Sequence, residues 1–144
     1  MEQILRFIVD HMEYLWTDYR YRITHSDVAD HMGGWAEMHV DSDSLRLVFT
    51  YGRSQLFADA VSLFDRNRSR VPIELVCDLL GAAPAMTAQV GPATPLQRGA
   101  YSAFLREHFS SIEAMYSAPH WCQSLDALKS LVASRAANSP VHDR

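Results

Sequence analysis

The stretch that decides the fold runs from Tyr19 to Val61 and opens Tyr19-Arg20-Tyr21-Arg22-Ile23-Thr24. Apolar and polar residues alternate along it. Ala36, Met38 and Val40 alternate with Glu37 and His39, and Leu45, Leu47, Phe49 and Tyr51 alternate with Arg46 and Thr50. A period of two puts successive side chains on opposite faces of a strand, so these runs predict half-buried strands. In a fourth run Leu56, Ala58 and Ala60 share one side and Phe57 and Val61 the other, which predicts a strand covered in part on both faces. Asp41-Ser42-Asp43-Ser44 between two runs predicts a hairpin, because Asp and Ser side chains bond to nearby backbone groups. Gly52-Arg53-Ser54 predicts a second turn, with Gly52 supplying positive φ. Ser26-Asp27 reads as the cap of a single helical turn. His31-Met32-Gly33-Gly34 then reads as a loose connection. The prediction is a four-stranded antiparallel β-meander.

Helices are expected around it. Ile4, Leu5, Ile8, Val9, Met12, Leu15 and Trp16 recur at helical spacing and predict one helix over Glu2–Asp18. Three more follow. The first runs Ile73–Leu80, after Pro72 and before a Gly81 stop. The second starts at Thr94-Pro95 and runs to Tyr116, and the third covers His120–Ala136. The last two read as a helical hairpin. Residues 82–95, rich in Ala, Pro, Gly and Thr, predict a flexible linker inside the domain, and residues 138–144 a frayed tail. The expected architecture is therefore α+β. It has an N-terminal helix, a four-stranded antiparallel meander and three C-terminal helices in one domain spanning residues 1–144.

Composition narrows the function classes. With 144 residues, 48% hydrophobic and 21% charged, the chain suits one domain with one core. Residues 1–65 carry 11 acidic and 5 basic side chains, and residues 66–144 carry 6 and 8, which together give the net charge of −4. That balance argues against nucleic-acid binding, which needs clustered Lys and Arg, and suits a basic protein partner. Arg66, Arg68 and Arg70 form a basic loop, read as a solvated connection or as a contact for an anion or an acidic partner. Met1-Glu2-Gln3 has none of the features of a signal peptide and no apolar run is long enough to span a bilayer. A cytoplasmic protein with no membrane association is expected.

Motifs for chemistry are sparse. His25, His31, His39, Asp27 and Asp30 cluster in sequence, and His25, Asp27 and His31 are the trio most able to converge. No paired metal-ligand spacing is present, so neither a metal nor a cofactor is expected. Cys77 and Cys122 fall in predicted helices and read as small buried hydrophobes. Glu37 with Asp41 or Asp43 imitates a carboxylate pair, but solvated turn acids are the commoner case. Tyr14, Trp16, Tyr19, Tyr21 and Trp35 crowd the first helix–strand corner, where core packing and an interface are both open readings. Asp27, Asp30, Glu37, Asp41 and Asp43 are placed as an acidic rim beside Trp35, which is the expected partner-binding surface.

One resemblance bears on function. The N-terminal amphipathic helix is followed by Tyr19-Arg-Tyr-Arg-Ile, Leu45-Arg-Leu-Val-Phe, Gln55-Leu-Phe-Ala-Asp and the short helix Pro72 to Gly81. That order resembles the immunity proteins encoded beside polymorphic or contact-dependent growth-inhibition toxins of bacteria. It extends over residues 2–81. The resemblance implies a non-enzymatic protein, a monomer or weak dimer, that binds a cognate toxin and occludes its active surface. Such a toxin is often a nuclease with a basic cleft. Two other readings stay open. One is a small ligand-binding or enzymatic domain with a pocket lined by Tyr21, His39, Tyr101 and His108. The other is a dimer built through an exposed sheet edge.

Overall fold

Five strands, each paired to the next in sequence, make the central sheet of the computed structural model, which describes residues 1–17, 20–29, 35–81 and 95–138. They are β1 (Arg22–Ala29), β2 (Trp35–Asp41), β3 (Leu45–Gly52), β4 (Gln55–Ser62) and β5 (Val71–Pro72), and all four pairings are antiparallel. The helices are α1 (Glu2–His11), α2 (Tyr14–Thr17), α3 (Ile73–Leu79), α4 (Pro95–Tyr116) and α5 (Trp121–Asn138). The chain is therefore α+β with an antiparallel sheet and several helices. The expected positions of Tyr19, Asp30, the loop His31–Gly34, the linker 82–94 and the tail 139–144 lie outside the described residues.

The period-two runs produce β2, β3 and β4. Ala36, Met38, Val40, Leu45, Leu47, Phe49, Ala58 and Ala60 point to one face and are buried. From the helical side, Ile4, Phe7 and Ile8 of α1, Val76 and Cys77 of α3, and Phe104, Leu105, Ile112 and Tyr116 of α4 complete the same core. Phe7 and Phe49 meet with ring centroids 5.9 Å apart, which fixes α1 over the middle of β3. Tyr116 and Trp121 stack at 5.1 Å across the turn between α4 and α5. Ser62 donates to the Tyr116 carbonyl at 3.0 Å, and Tyr21 donates to Glu113, so the last turn of α4 is tied to the sheet from two sides.

Several expectations need correction. The first helix is two pieces, because the chain leaves helical geometry at Met12, with φ −121° and ψ 26°. Its buried stripe runs through Phe7 instead of Leu5 and Val9, which are 41% and 71% exposed. The first strand begins at Arg22 and continues through Ser26-Asp27, the residues read as a helical cap. Pairing with β2 supplies backbone partners that outweigh the local capping preference of those residues. The sheet has a fifth strand, the two residues of β5, and Pro72 belongs to it instead of to the first turn of α3. The second hairpin also differs. Arg53 and Ser54, not Gly52, carry positive φ (51° and 62°). Both central residues are thus left-handed, as a two-residue hairpin turn of the right twist demands. Gly52 ends β3, and a Cβ there would lie 3.4 Å from Trp35 Cδ1. The first hairpin is as expected, with Ser42 Oγ accepting from the Leu45 amide at 3.1 Å. Gly81, at φ 70°, ends α3 as expected.

Replacing Arg53-Ser54 by Asn-Gly removes the cost of two left-handed side-chain residues. The double variant is expected to gain about 1 kcal/mol in urea unfolding. A loss would show that the turn is not of this type.

Candidate functional site

The face of the sheet turned away from the α1 and α4 side chains carries the polar residues of β2. Glu37, His39 and Asp41 share it with Arg46, Val48 and Thr50 of β3 and with Phe57, Asp59 and Val61 of β4. Glu37 is its hub. Arg70 donates to both carboxylate oxygens, Nη1 to Oε2 at 2.7 Å and Nη2 to Oε1 at 2.8 Å. His39 donates from Nε2 to Oε1 at 2.7 Å. Two strands, β3 and β4, stand between β2 and β5, a span of about 14 Å from strand to strand. The long side chains of Arg70 and Glu37 reach toward each other across this face and close it. Val48 and Val61, both apolar, lie on the same side and are buried.

The segment before Arg70 is tied up by its own side chains. Asp65 accepts from the Asn67 amide at 3.0 Å and the Ser69 amide at 2.9 Å. Arg68 takes φ 50°, which turns the chain. Beside the Glu37 hub, Arg46 binds Asp41 through two parallel bonds of 2.8 Å, the geometry that fits a guanidinium to a carboxylate.

These bonds set the charge states. The Arg70 hydrogen bonds lead in holding the Glu37 carboxyl below its ordinary value, with His39 assisting against the cost of burial. At Asp41 burial pushes upward, but the hydrogen bonds from Arg46 and Thr24 and the charge of Arg46 together leave it low. Backbone bonding, led by the Ser69 amide, lowers Asp65. Asp59 behaves in the opposite way, because burial raises it despite the charge of Arg70.

The expected partner-binding residues therefore divide. Glu37 and Asp41 are 5% and 7% exposed and spend their charge on Arg70 and Arg46. They are not part of an exposed acidic rim, and neither do they form a free carboxylate pair. Asp27 and Asp43 are exposed, and Asp27 accepts from the Val28 amide at 2.9 Å. Trp35 is half-buried at the start of β2, against Gly52. Asp30 lies outside the described residues. Of the basic loop, Arg70 makes an acidic contact within the chain itself, whereas Arg66 and Arg68 are exposed. Tyr14 and Tyr21 flank Phe109, at 5.8 and 5.0 Å, so these two aromatics serve packing.

The pocket read from Tyr21, His39, Tyr101 and His108 is not assembled. Tyr21 faces α4 and His39 faces the opposite side of the sheet. His108 is half-buried against Phe104, with ring centroids 4.7 Å apart. The side chain of Tyr101 lies outside the described residues. Cys77 is buried and its thiol is pushed up to about 12 by burial and the nearby Glu74, which makes it a poor nucleophile. Cys122 is exposed.

The remaining feature is β1. Among the described residues it is paired on one side only, and seven of its eight residues are exposed. Ile23 and Val28 are each 48% exposed on the side that elsewhere faces the core. His25 and Asp27 lie on the other side, opposite His39 and Glu37. On the opposite side, β5 covers β4 only at Asp59 and Ala60, and one of its two residues is a proline that lacks an amide donor. Sequence reading missed this contrast. Burial periodicity marks strands that are half covered, and β1 is scarcely covered at all. Among the described residues no helix is long and apolar enough to cross a membrane. Comparison with protein-family models, with curated proteins and with solved structures gives no match.

Two predictions follow from the charge network. Arg70→Ala strands a buried carboxylate and is expected to cost about 3 kcal/mol. Glu37→Gln releases Arg70, whose side chain is 46% exposed, into water and is expected to cost about 1 kcal/mol. Urea unfolding of both variants checks the order, and equal losses would contradict it. Glu37, Asp41 and Asp65 all have folded values below their ordinary ones. Their contribution to stability is complete above about pH 5, the upper end of the ordinary carboxylate range, and is lost as pH falls through the lowered values. Acid titration of the native circular dichroism signal is expected to show this loss below about pH 4, with Asp65→Asn flattening it.

Proposed function

We propose that this chain is a non-catalytic protein-binding module of the immunity type, and that it captures a bacterial toxin domain by adding one of the toxin's strands to the outer edge of β1. The single observation that carries the reading is that edge. It offers eight residues, about 27 Å of backbone, with donors and acceptors on its outer side. Long free edges invite pairing with other chains and are normally shortened, charged or covered. This sheet has the short, proline-bearing form of protection at β5. At β1 it has a register irregularity between Ile23 and His25, and among the described residues the rest of the edge has no strand partner.

The chemistry of the edge describes the segment that fits it. An incoming strand alternates its side chains between two environments. On one side it meets Ile23 and Val28, which suit apolar residues. On the other it meets Asp27 and the half-buried Trp35, which suit a basic residue held by charge and by ring contact. Asp43, at the far end of β2, adds a second exposed negative charge. The reading rests on the acidic balance of the N-terminal half as a source of steering. Binding itself is assigned to β1, because Glu37 and Asp41 are occupied within the chain.

The test uses the toxin domain encoded beside the gene in its native host. Co-expression is expected to restore growth of cells making that domain and to yield a one-to-one complex. Ile23→Lys with Val28→Lys is expected to abolish both, since these exposed positions tolerate charge in the free protein. Asp27→Asn with Asp43→Asn is expected to slow association about tenfold at low salt and little at high salt. An adjacent metabolic operon, or full rescue by the double lysine variant, overturns the reading.

A further inference from the structure

A second feature of the same sheet is independent of any protein partner. His25 and His39 are direct cross-strand neighbours on β1 and β2, with ring centroids 4.6 Å apart. Glu37 precedes His39 by two residues and so lies on the same face. One ligand atom from each of the three falls within 4.8 Å of the others. We infer that His25, Glu37 and His39 form a binding site for a zinc-like divalent transition-metal ion that pins β1 to β2.

The donor set selects the ion. Two imidazoles and one carboxylate suit zinc and its first-row neighbours, whereas calcium and magnesium take oxygen ligands. Three protein ligands, of which His25 is exposed, leave the remaining positions to solvent. His25 is exposed and reaches the site from above, while His39 and Glu37 are fixed from below. The carboxylate is already oriented, as ligating carboxylates generally are by an outer hydrogen bond. Arg70 holds both oxygens, Nη1 on Oε2 and Nη2 on Oε1, so the metal takes the lone pair of Oε1 that now accepts from His39.

Loading requires one exchange. The Nε2–H of His39 gives way to the metal: a neutral ring carries its proton on Nδ1 instead, an imidazolium releases one to solvent, and the metal takes the freed nitrogen lone pair and the carboxylate oxygen. Metal–ligand bonds of about 2.0–2.2 Å place neighbouring ligand atoms roughly 3 Å apart. The present 2.7 Å between Nε2 and Oε1 therefore opens by a few tenths of an ångström, and the His25 ring swings inward to complete the trio. The strand geometry explains why sequence spacing concealed the site. His25 lies 12 residues before Glu37, and only the register of β1 on β2 brings it back. The trio read from sequence, His25, Asp27 and His31, is not this one. The Asp27 carboxylate bonds the backbone of its own strand, and His31 lies outside the described residues.

The test uses the full chain, free of any histidine tag, titrated with zinc chloride and with cobalt(II) chloride. Calorimetry is expected to give one saturable equivalent, and cobalt a visible spectrum of nitrogen and oxygen ligation. His25→Ala and His39→Ala are each expected to weaken binding at least about tenfold, and His120→Ala to leave it unchanged. Saturating zinc is expected to raise the Tm of the wild type by about 5 °C, reversibly with a chelator, and to leave His25→Ala unmoved. His25 is exposed, so its variant folds and keeps the test decisive even where His39→Ala does not. Absence of saturable binding, or binding that survives His25→Ala, overturns the assignment.

Discussion

The contact between Glu37 and Arg70 is the constraint on which the polar side of this molecule depends. A carboxylate on the second strand of the sheet is buried, and burial of an unpaired charge is too costly to persist. Its cation comes from 33 residues later, at the entrance to the fifth strand. Before it the chain turns at Asp65 and Arg68, and the Arg70 side chain reaches across the sheet face to the carboxylate. His39 is held beside the carboxylate, and His25 lies beside His39. Without the pair, a buried carboxylate loses its cation.

This arrangement changes what the acidic character of the N-terminal half means. By composition it reads as a negative surface waiting for a basic partner. In the fold, two of the acids that define it are neutralised by arginines of the same chain. What remains outside is smaller and more specific: Asp27, Asp43, the flank of Trp35 and the unpaired edge of β1. A free edge supplies binding energy through backbone hydrogen bonds and selects its partner through two or three side-chain positions. That economy suits a small protein whose core takes up most of the apolar side chains of β2 and β3.

Much of the architecture was legible before any coordinates. Ala36 to Val40 and Leu45 to Tyr51 announce their strands, because one face of each is buried and the other is not. Ser42 closes its hairpin through the side-chain bonds its chemistry suggests, and Gly81 ends α3 by taking positive φ. The failures share a cause. β1 is nearly all exposed, so no alternation of burial disciplines its sequence, and Ser26-Asp27 mimics a helical cap. β5 is two residues long and exists only through pairing with Asp59 and Ala60. Arg53 and Ser54 adopt left-handed geometry because the strand twist requires it, against the preference that singled out Gly52. The fate of Glu37 and Asp41 was illegible for a further reason. Whether an acid is a surface charge or half of an ion pair depends on a residue that the fold alone brings near.

We propose that recognition belongs to the edge of β1, with Glu37 and Asp41 of the polar sheet face paired within the chain. Residue-level amide hydrogen exchange of the free protein and of a complex with the proposed toxin partner tests this most directly. In the free protein, alternate amides from Arg22 to Ala29 should exchange fast while those paired to β2 are slow. In the complex the fast set should become protected. Unchanged exchange in β1, with new protection confined to α1 or to the loop Arg66–Arg70, would contradict it.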